Sequence, residues 1–333
     1  MNMSDVNHRV RKQIMGYIVS QSISAVCELG VPDRLADGAC LLGDLAASVG
    51  ADADALGRFL RVLVAEGLFA EVGGGRFALT EAGELLRADA PGSLRHLVGL
   101  MSNEAYLVWG HAAHSIRTGK ESFSAAFGKP YFEWLSENPS AADEFARGQA
   151  GLVELRLLPL LDHDWSDVGT VVDVGGGTGA LITRLLDRHA HLRGILFDLP
   201  HVVAEAPSTF GSAGIGERTT VVGGSFFDDV PGNGDVYVLS QILHDWDDAS
   251  AGKILSSCRQ AIPPGGRLMI VEQVLPESAT THPMALLDLH MLVLLGGRER
   301  TITEWRRLLT DHGFTLDSIT QGPRSSVIEA VPV

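Results

Sequence analysis

The sequence predicts an α/β chain in which a doubly wound, mostly parallel sheet follows a mostly α-helical N-terminal half. Three observations carry this. After Asp164, β-branched runs alternate with helical periodicity, the pattern of strands joined by crossover helices. The first of those runs, Val171-Val172-Asp173-Val174, ends in the cluster Gly175-Gly176-Gly177-Thr178-Gly179. Before residue 92, two short amphipathic segments precede a glycine-turned hairpin.

The N-terminal elements come first in order. Val10, Ile14 and Ile18, with Met15, Val19, Ile23 and Val26, put a wide apolar stripe on a helix from about residue 8 to 29. So much apolar surface needs a partner, either the body of the chain or a second subunit. Leu41 to Val49 forms a short helix, and Asp52 or Asp54 caps a second carrying Leu56, Phe59, Leu60 and Leu63. Residues 69–72 and 76–79 flank Gly73-Gly74-Gly75 as a hairpin. Helix, helix and two-stranded wing is the winged-helix pattern. It serves DNA recognition in some chains and dimerisation in others. Arg58 and Arg61 stand among Asp52, Asp54, Glu66 and Glu71, and the chain's formal charge is −15; duplex binding needs several cationic phosphate contacts. Cys27, Cys40 and Cys258 form no C-x-x-C pair and suit a reducing compartment. The N-terminus lacks a signal-peptide core, and no apolar run reaches the roughly 18–20 residues of a membrane span. The expected setting is cytoplasmic, with no membrane partner.

Residues 93–162 read as a helical connecting segment rich in aromatics, among them Trp109 and Phe132. Some of these could wall a pocket for a flat substrate, or simply form core. Residues 163–333 then supply the sheet, with 1–92 and 93–162 as the preceding segments. Its strands are expected at 170–174, 194–199, 219–223, 235–239, 267–274, 315–319 and 326–331, with helices at 181–189, 249–261 and 303–312 between them.

Ligands of such sheets bind at the carboxyl ends of the strands. There lie Asp173, Gly175 and Gly177 after the first strand, Asp198 after the second and Ser225-Phe226 after the third. Ser240 and the run His244-Asp245-Trp246-Asp247-Asp248 follow the fourth, and Glu272 the fifth. Gly175-x-Gly177-x-x-Ala180 meets the dinucleotide fingerprint, and Asp198 stands where a ribose ligand would. The same run also spells D-x-G-x-G-x-G. An acidic residue beside the glycines suits the ammonium and sulfonium of S-adenosylmethionine better than a pyrophosphate. On the loop alone both cofactors stay open.

The ordered set Asp173–Gly179, Phe197-Asp198-Leu199-Pro200, Leu243–Asp248, Pro264-Gly265-Gly266 with Val271-Glu272, and Gly296-Gly297-Arg298-Glu299-Arg300-Thr301 resembles plant-type small-molecule O-methyltransferases and their bacterial antibiotic-tailoring relatives. The resemblance covers essentially the whole chain. It implies a Rossmann-like S-adenosylmethionine domain, a winged-helix dimerisation domain, a homodimer, a small aromatic hydroxylated substrate and no metal. It implies His244 as general base, flanked and oriented by Glu272 and Glu299. A phenol of pKa near ~10 is mostly un-ionised at neutral pH, so a His able to accept its proton assists the attack.

Asp173, Gly175, Gly177, Asp198, Ser225, Phe226, Ser240, Trp246 and Arg147 are the expected cofactor residues. Trp109, Phe132, Gln149, Asp245 and Met291 are the expected substrate residues, with the segment 284–295 lining the acceptor pocket. The chain departs from the plant pattern at Ser225-Phe226, at Ser240 where plant members carry Lys, and at Gln149 where they carry a substrate-packing Met. Trp246 could cover adenine or only pack, and Arg147 could reach a carboxylate of cofactor or substrate. Asp247 or Asp248 reads as a helix cap. The three aspartates 245, 247 and 248 could otherwise hold a divalent cation. A ligand-sensing regulator or an NAD-dependent oxidoreductase are the rival functions.

Overall fold

The computed structural model describes residues 3–278, 284–322 and 324–333, apart from the side chains of Met3 and residues 150–155. The chain divides into two compact units, Met1–Tyr106 and Leu107–Val333.

In the first unit, the single N-terminal helix expected from the apolar stripe is two helices, α1 (Met3–Ile14) and α2 (Gly16–Glu28). The break falls at Met15, just before Gly16, a poor helix former. Val10, Ile14, Met15 and Ile18 of this stripe, and Tyr17 beside them, stay exposed within the chain. Next come β1 (Cys40–Leu41), a two-residue strand the sequence does not signal, α3 (Leu42–Ser48) and α4 (Ala53–Ala65). Asp52 caps α4: its Oδ1 accepts the Ala55 N–H at 2.8 Å. Leu56, Leu60 and Leu63 bury one face against Val26, Leu45, Phe69 and Phe77. The hairpin β2 (Phe69–Glu71) and β3 (Arg76–Leu79) pairs as expected, and β1 joins it in the order β1-β3-β2.

In the second unit, short helices lead into α5 (Pro139–Leu161). The sheet then runs through β4 (Thr170–Val174), α6 (Ala180–Arg188), β5 (Arg193–Asp198), β6 (Thr219–Gly223), β7 (Val236–Ser240), α7 (Asp248–Ala261) and β8 (Arg267–Glu272). The run expected as one strand to residue 274 breaks at Gln273, and β9 (Val274–Leu275) pairs instead with β10 (Arg300–Thr301). Between them lies α8 (Met284–Leu295), and α9 (Ile302–Asp311), β11 (Phe314–Gln321) and β12 (Ser326–Pro332) complete the unit.

The strand order is β11-β12-β8-β7-β4-β5-β6. Five central strands are parallel, and the β11–β12 hairpin closes one edge antiparallel. Buried on both faces, β4 and β7 are mostly apolar, with Asp173 the buried exception in β4. The order reverses between β4 and β7, so the crevice for a ligand opens at the carboxyl ends of those strands. No described helix is long and apolar enough to cross a membrane.

Candidate active site

A cavity of about 620 Å³ opens at those carboxyl ends. The strand register brings Asp173, Gly175, Gly177, Asp198, Ser225, Phe226, Ser240, Asp245 and Trp246 to its wall, and α5 adds Gln149. Phe132 lines it too, stacked on Trp246 with ring centroids 5.9 Å apart, while Phe226 and Phe227 meet Trp246 edge-on. Four aromatic rings thus make a wall suited to a flat group.

The glycine turn is built for close approach. Gly175, Gly177 and Gly179 all have positive φ, and a Cβ on Gly176 would meet Asp173 Oδ2 at 2.4 Å. Asp198 ties the turn down from the next strand: its Oδ2 accepts the Gly177 N–H at 2.8 Å and its Oδ1 the Leu199 N–H at 2.7 Å. Asp173 is buried, and its Oδ2 has no hydrogen-bond partner. Burial, with the nearby Asp198 charge, pushes its carboxyl up to about 8. An orphaned carboxylate oxygen beside a glycine cradle fits a ligand that brings its own cation, so the residues present suit an amino-acid tail better than a pyrophosphate.

His244 sits behind the wall that Asp245 forms. Its Nδ1 lies 2.8 Å from Glu299 Oε1 and 3.5 Å from Glu272 Oε2; its Nε2 lies 3.3 Å from Asp245 Oδ1. The two glutamates, paired in the sequence reading, therefore differ. Glu299 takes the ring's Nδ1 hydrogen bond. Glu272 holds the loop: its Oε1 accepts the backbone N–H groups of Ile242, Leu243 and His244 at 3.0, 3.0 and 3.3 Å.

The cluster is strongly perturbed. Burial opposes charge on the imidazole, yet Glu272, Asp245 and Glu299 outweigh it and push His244 up to about 10. Burial likewise pushes Glu272 to about 7 and Asp245 to about 6. These groups titrate as one coupled set rather than as an isolated imidazole. His244, Glu272 and Glu299 bring ligand atoms within 4.8 Å of one another. A cation held there by Nδ1 would have to displace the Glu299–His244 hydrogen bond.

Three further residues fix this loop, and the sequence reading gave none of them a role. Gln241 takes positive φ, which is strained for a non-glycine, and its Nε2 donates to Val271 O at 3.0 Å. Arg300 is buried; it donates to the carbonyls of Leu243 and Trp246 and to Asp248 Oδ1. Gly297 lets the strap after α8 pass directly over His244: a Cβ there would meet His244 O at 2.0 Å. Of the aspartates considered for a cation, Asp247 caps α7 through the Ser250 N–H, and Asp248 pairs with Arg298, Arg300 and Arg307.

Besides the buried cluster of His244, Glu272 and Glu299, which lies behind the wall, three expected cofactor and substrate residues do not line the cavity. Arg147 is exposed, because Ala142, Phe145, Ala146 and Gln149 form the inward stripe of α5 and position 147 falls off it. Met291 is buried within α8, and no described residue of that helix lines the cavity. Trp109 is half-exposed and donates its indole N–H to His290 Nδ1 at 3.3 Å. Burial pushes His290 down to about 4, leaving it a neutral acceptor. Conversely, the cavity includes Arg156, a residue to which the sequence assigned no role.

Residues 109–315 match the O-methyltransferase domain family, and residues 12–89 match its dimerisation domain. A phenazine O-methyltransferase of Lysobacter antibioticus is 41% identical over 97% of this chain and 95% of its own length. The O-demethylpuromycin-O-methyltransferase of Streptomyces alboniger is 40% identical over 98% and 89%. A crystal structure of an O-methyltransferase of neocarzinostatin biosynthesis, in complex with S-adenosylmethionine and 2-hydroxy-5-methyl naphthoic acid, superposes with a TM-score of 0.84. It is 35% identical and covers 94% of this chain and 96% of that one. The chain thus belongs to the O-methyltransferase family and is an S-adenosylmethionine-dependent, homodimeric O-methyltransferase.

Proposed function

We propose that the cavity transfers a methyl group to a hydroxyl of a small aromatic natural-product intermediate, with His244 and Asp245 acting together as the proton acceptor. One observation carries the reading: the imidazole bridges a cavity-facing carboxylate on Nε2 and a buried carboxylate on Nδ1. S-adenosylmethionine, when bound, supplies an electrophilic methyl on a sulfonium. Asp173 would hold its ammonium group and Asp198 its ribose hydroxyls, with Gly175 and Gly177 giving room for close approach. Phe226 and Trp246 would flank its adenine, and Ser225 and Ser240 complete the wall. On the acceptor side, Phe132 and Gln149 would position the aromatic ring.

Glu299 holds the imidazole's Nδ1 proton and so turns Nε2 toward Asp245, whose carboxylate faces the cavity. A hydroxyl proton then passes to the Nε2–Asp245 pair, and the net negative cluster stabilises it there. Placing both reactants in line does most of the remaining work. The relatives act on phenazine and puromycin-type hydroxyls by name, which supports an aromatic acceptor. Three free cysteines support a cytoplasmic setting.

Replacing His244 with Ala tests the reading. Turnover should fall at least ~100-fold, while calorimetric affinity for S-adenosylhomocysteine stays within about twofold. Substantial activity of His244→Ala at neutral pH would sink the base assignment. Screening hydroxylated aromatics with labelled methyl donor would identify the acceptor.

A further inference from the structure

Arg156 has no role in the proton transfer above, yet it lines the cavity. Among the described residues it is the only lysine or arginine that does so, against the carboxylates of Asp143, Asp173, Asp198, Glu205 and Asp245. It lies two helical turns beyond Gln149 on the inward stripe of α5. Its Nη1 donates to Gln149 Oε1 at 2.6 Å. Its carbonyl accepts the Ser325 hydroxyl, which fixes the backbone at that point.

Two facts make this arginine unusual. No described carboxylate lies within 4.0 Å of it, although Glu272, Asp245 and Glu299 are near enough for their charges to act on it. None of its nitrogens is sealed in the interior without a partner. Among the described residues Gln149 is the only acceptor the guanidinium engages, which leaves its other donors for a ligand of the cavity that Arg156 lines. A largely buried guanidinium held by one neutral amide is costly unless a ligand completes it. Its planar fork matches a carboxylate in bidentate fashion.

We propose that Arg156, positioned by Gln149, is a carboxylate-binding subsite of the cavity. Two reactants could present that carboxylate: the methyl donor, through its amino-acid tail, and an acceptor that is an aromatic acid. The first source is chemically apt because the wall offers Ser240, a neutral side chain, and no other described lysine or arginine. The second is apt because the carboxylates that act on Arg156 belong to the catalytic cluster rather than to Asp173. The subsite rests on the methyltransferase reading of the cavity and goes beyond it in naming a recognised group.

The test pairs ligands that differ by the carboxylate, with binding as the readout. Calorimetry compares S-adenosylhomocysteine with its decarboxylated analogue. Fluorescence titration at saturating S-adenosylhomocysteine compares 3-hydroxy-2-naphthoic acid with 2-naphthol. Both use the full-length dimer, as wild type, Arg156→Gln and Arg156→Lys. The subsite predicts that Arg156→Gln weakens the acid member of one pair at least ~10-fold and leaves its partner within about twofold, with Arg156→Lys between. Selective loss in the first pair assigns the donor's carboxylate, and selective loss in the second assigns an acidic acceptor.

If neither pair depends on the carboxylate in any variant, the subsite is refuted. The wild-type pairs alone decide this should Arg156→Gln not fold. Failure of wild type to bind S-adenosylhomocysteine at all would instead overturn the methyl-donor reading beneath it.

Discussion

At the residue scale the site is defined by carboxylates in unequal surroundings. Asp173 is protonated below about pH 8 in the unliganded chain, whereas an unfolded Asp ionises near ~3.9. The folded chain thus keeps a proton the unfolded chain has released. Stability from this group is present below about pH 4 and is lost as pH rises toward 8. Asp173→Asn should therefore raise the unliganded melting temperature at pH 8 by a few degrees, while weakening S-adenosylhomocysteine at least ~10-fold. Thermal shift with and without ligand reads both effects; an unchanged affinity would remove Asp173 from the cofactor site. The catalytic cluster makes a different statement about pH. His244 is held protonated up to about 10, so the cluster takes a further proton on its carboxylates, and Asp245, near 6, and Glu272, near 7, must ionise first. We expect kcat/KM to rise with pH through about 6–7 and then level. Glu299→Gln should lower kcat by about 100-fold with little change in KM for the donor. A flat profile from pH 5 to 9 would contradict the cluster as proton acceptor.

At the element scale, the loop after β7 is strained and then tied from three sides. Gln241 turns it with positive φ, Glu272 gathers three successive N–H groups, and Arg300 holds two carbonyls farther along. The strap carrying Glu299 passes over His244 at Gly297, where the Arg298 N–H donates to His244 O at 2.8 Å. A methyl at position 297 would occupy the space of that carbonyl and its neighbour, so the strap or the loop must move. Because a displacement of about 1 Å can cost 100-fold in rate, Gly297→Ala should lower kcat by about that factor. Cofactor affinity should change little, since the glycine cradle after β4 is separate from the strap. Equal loss of cofactor binding would show that the two halves of the site do not act independently.

At the scale of the whole molecule, the first unit carries an apolar stripe that the single chain does not cover. Ile14 is 69% exposed and Tyr17 56%, in a segment that overlaps the dimerisation domain match at residues 12–89. Burying such side chains contributes roughly 1.5–3 kcal/mol each. An Ile14→Asp, Tyr17→Asp double variant should shift the dimer toward monomer in sedimentation experiments at micromolar concentration. An unchanged dimer would place the interface elsewhere in that domain.

The sequence alone determined the alternation of strands and helices, the hairpin, the glycine cradle and the candidate set Asp173, Asp198, His244, Glu272 and Glu299. These are local signals: periodicity, turn chemistry and short motifs at strand ends. Only the tertiary structure decided how the parts divide the chemistry. It gave Glu299 to the imidazole and Glu272 to the loop, because residues far apart in sequence meet there across β8 and the strap. It turned Arg147 outward and Arg156 inward on one helix, a matter of rotation about an axis whose buried side the packing chooses. It also left Trp109 and Met291 outside the cavity, since an aromatic or apolar residue reads the same in sequence whether it packs into core or lines a site.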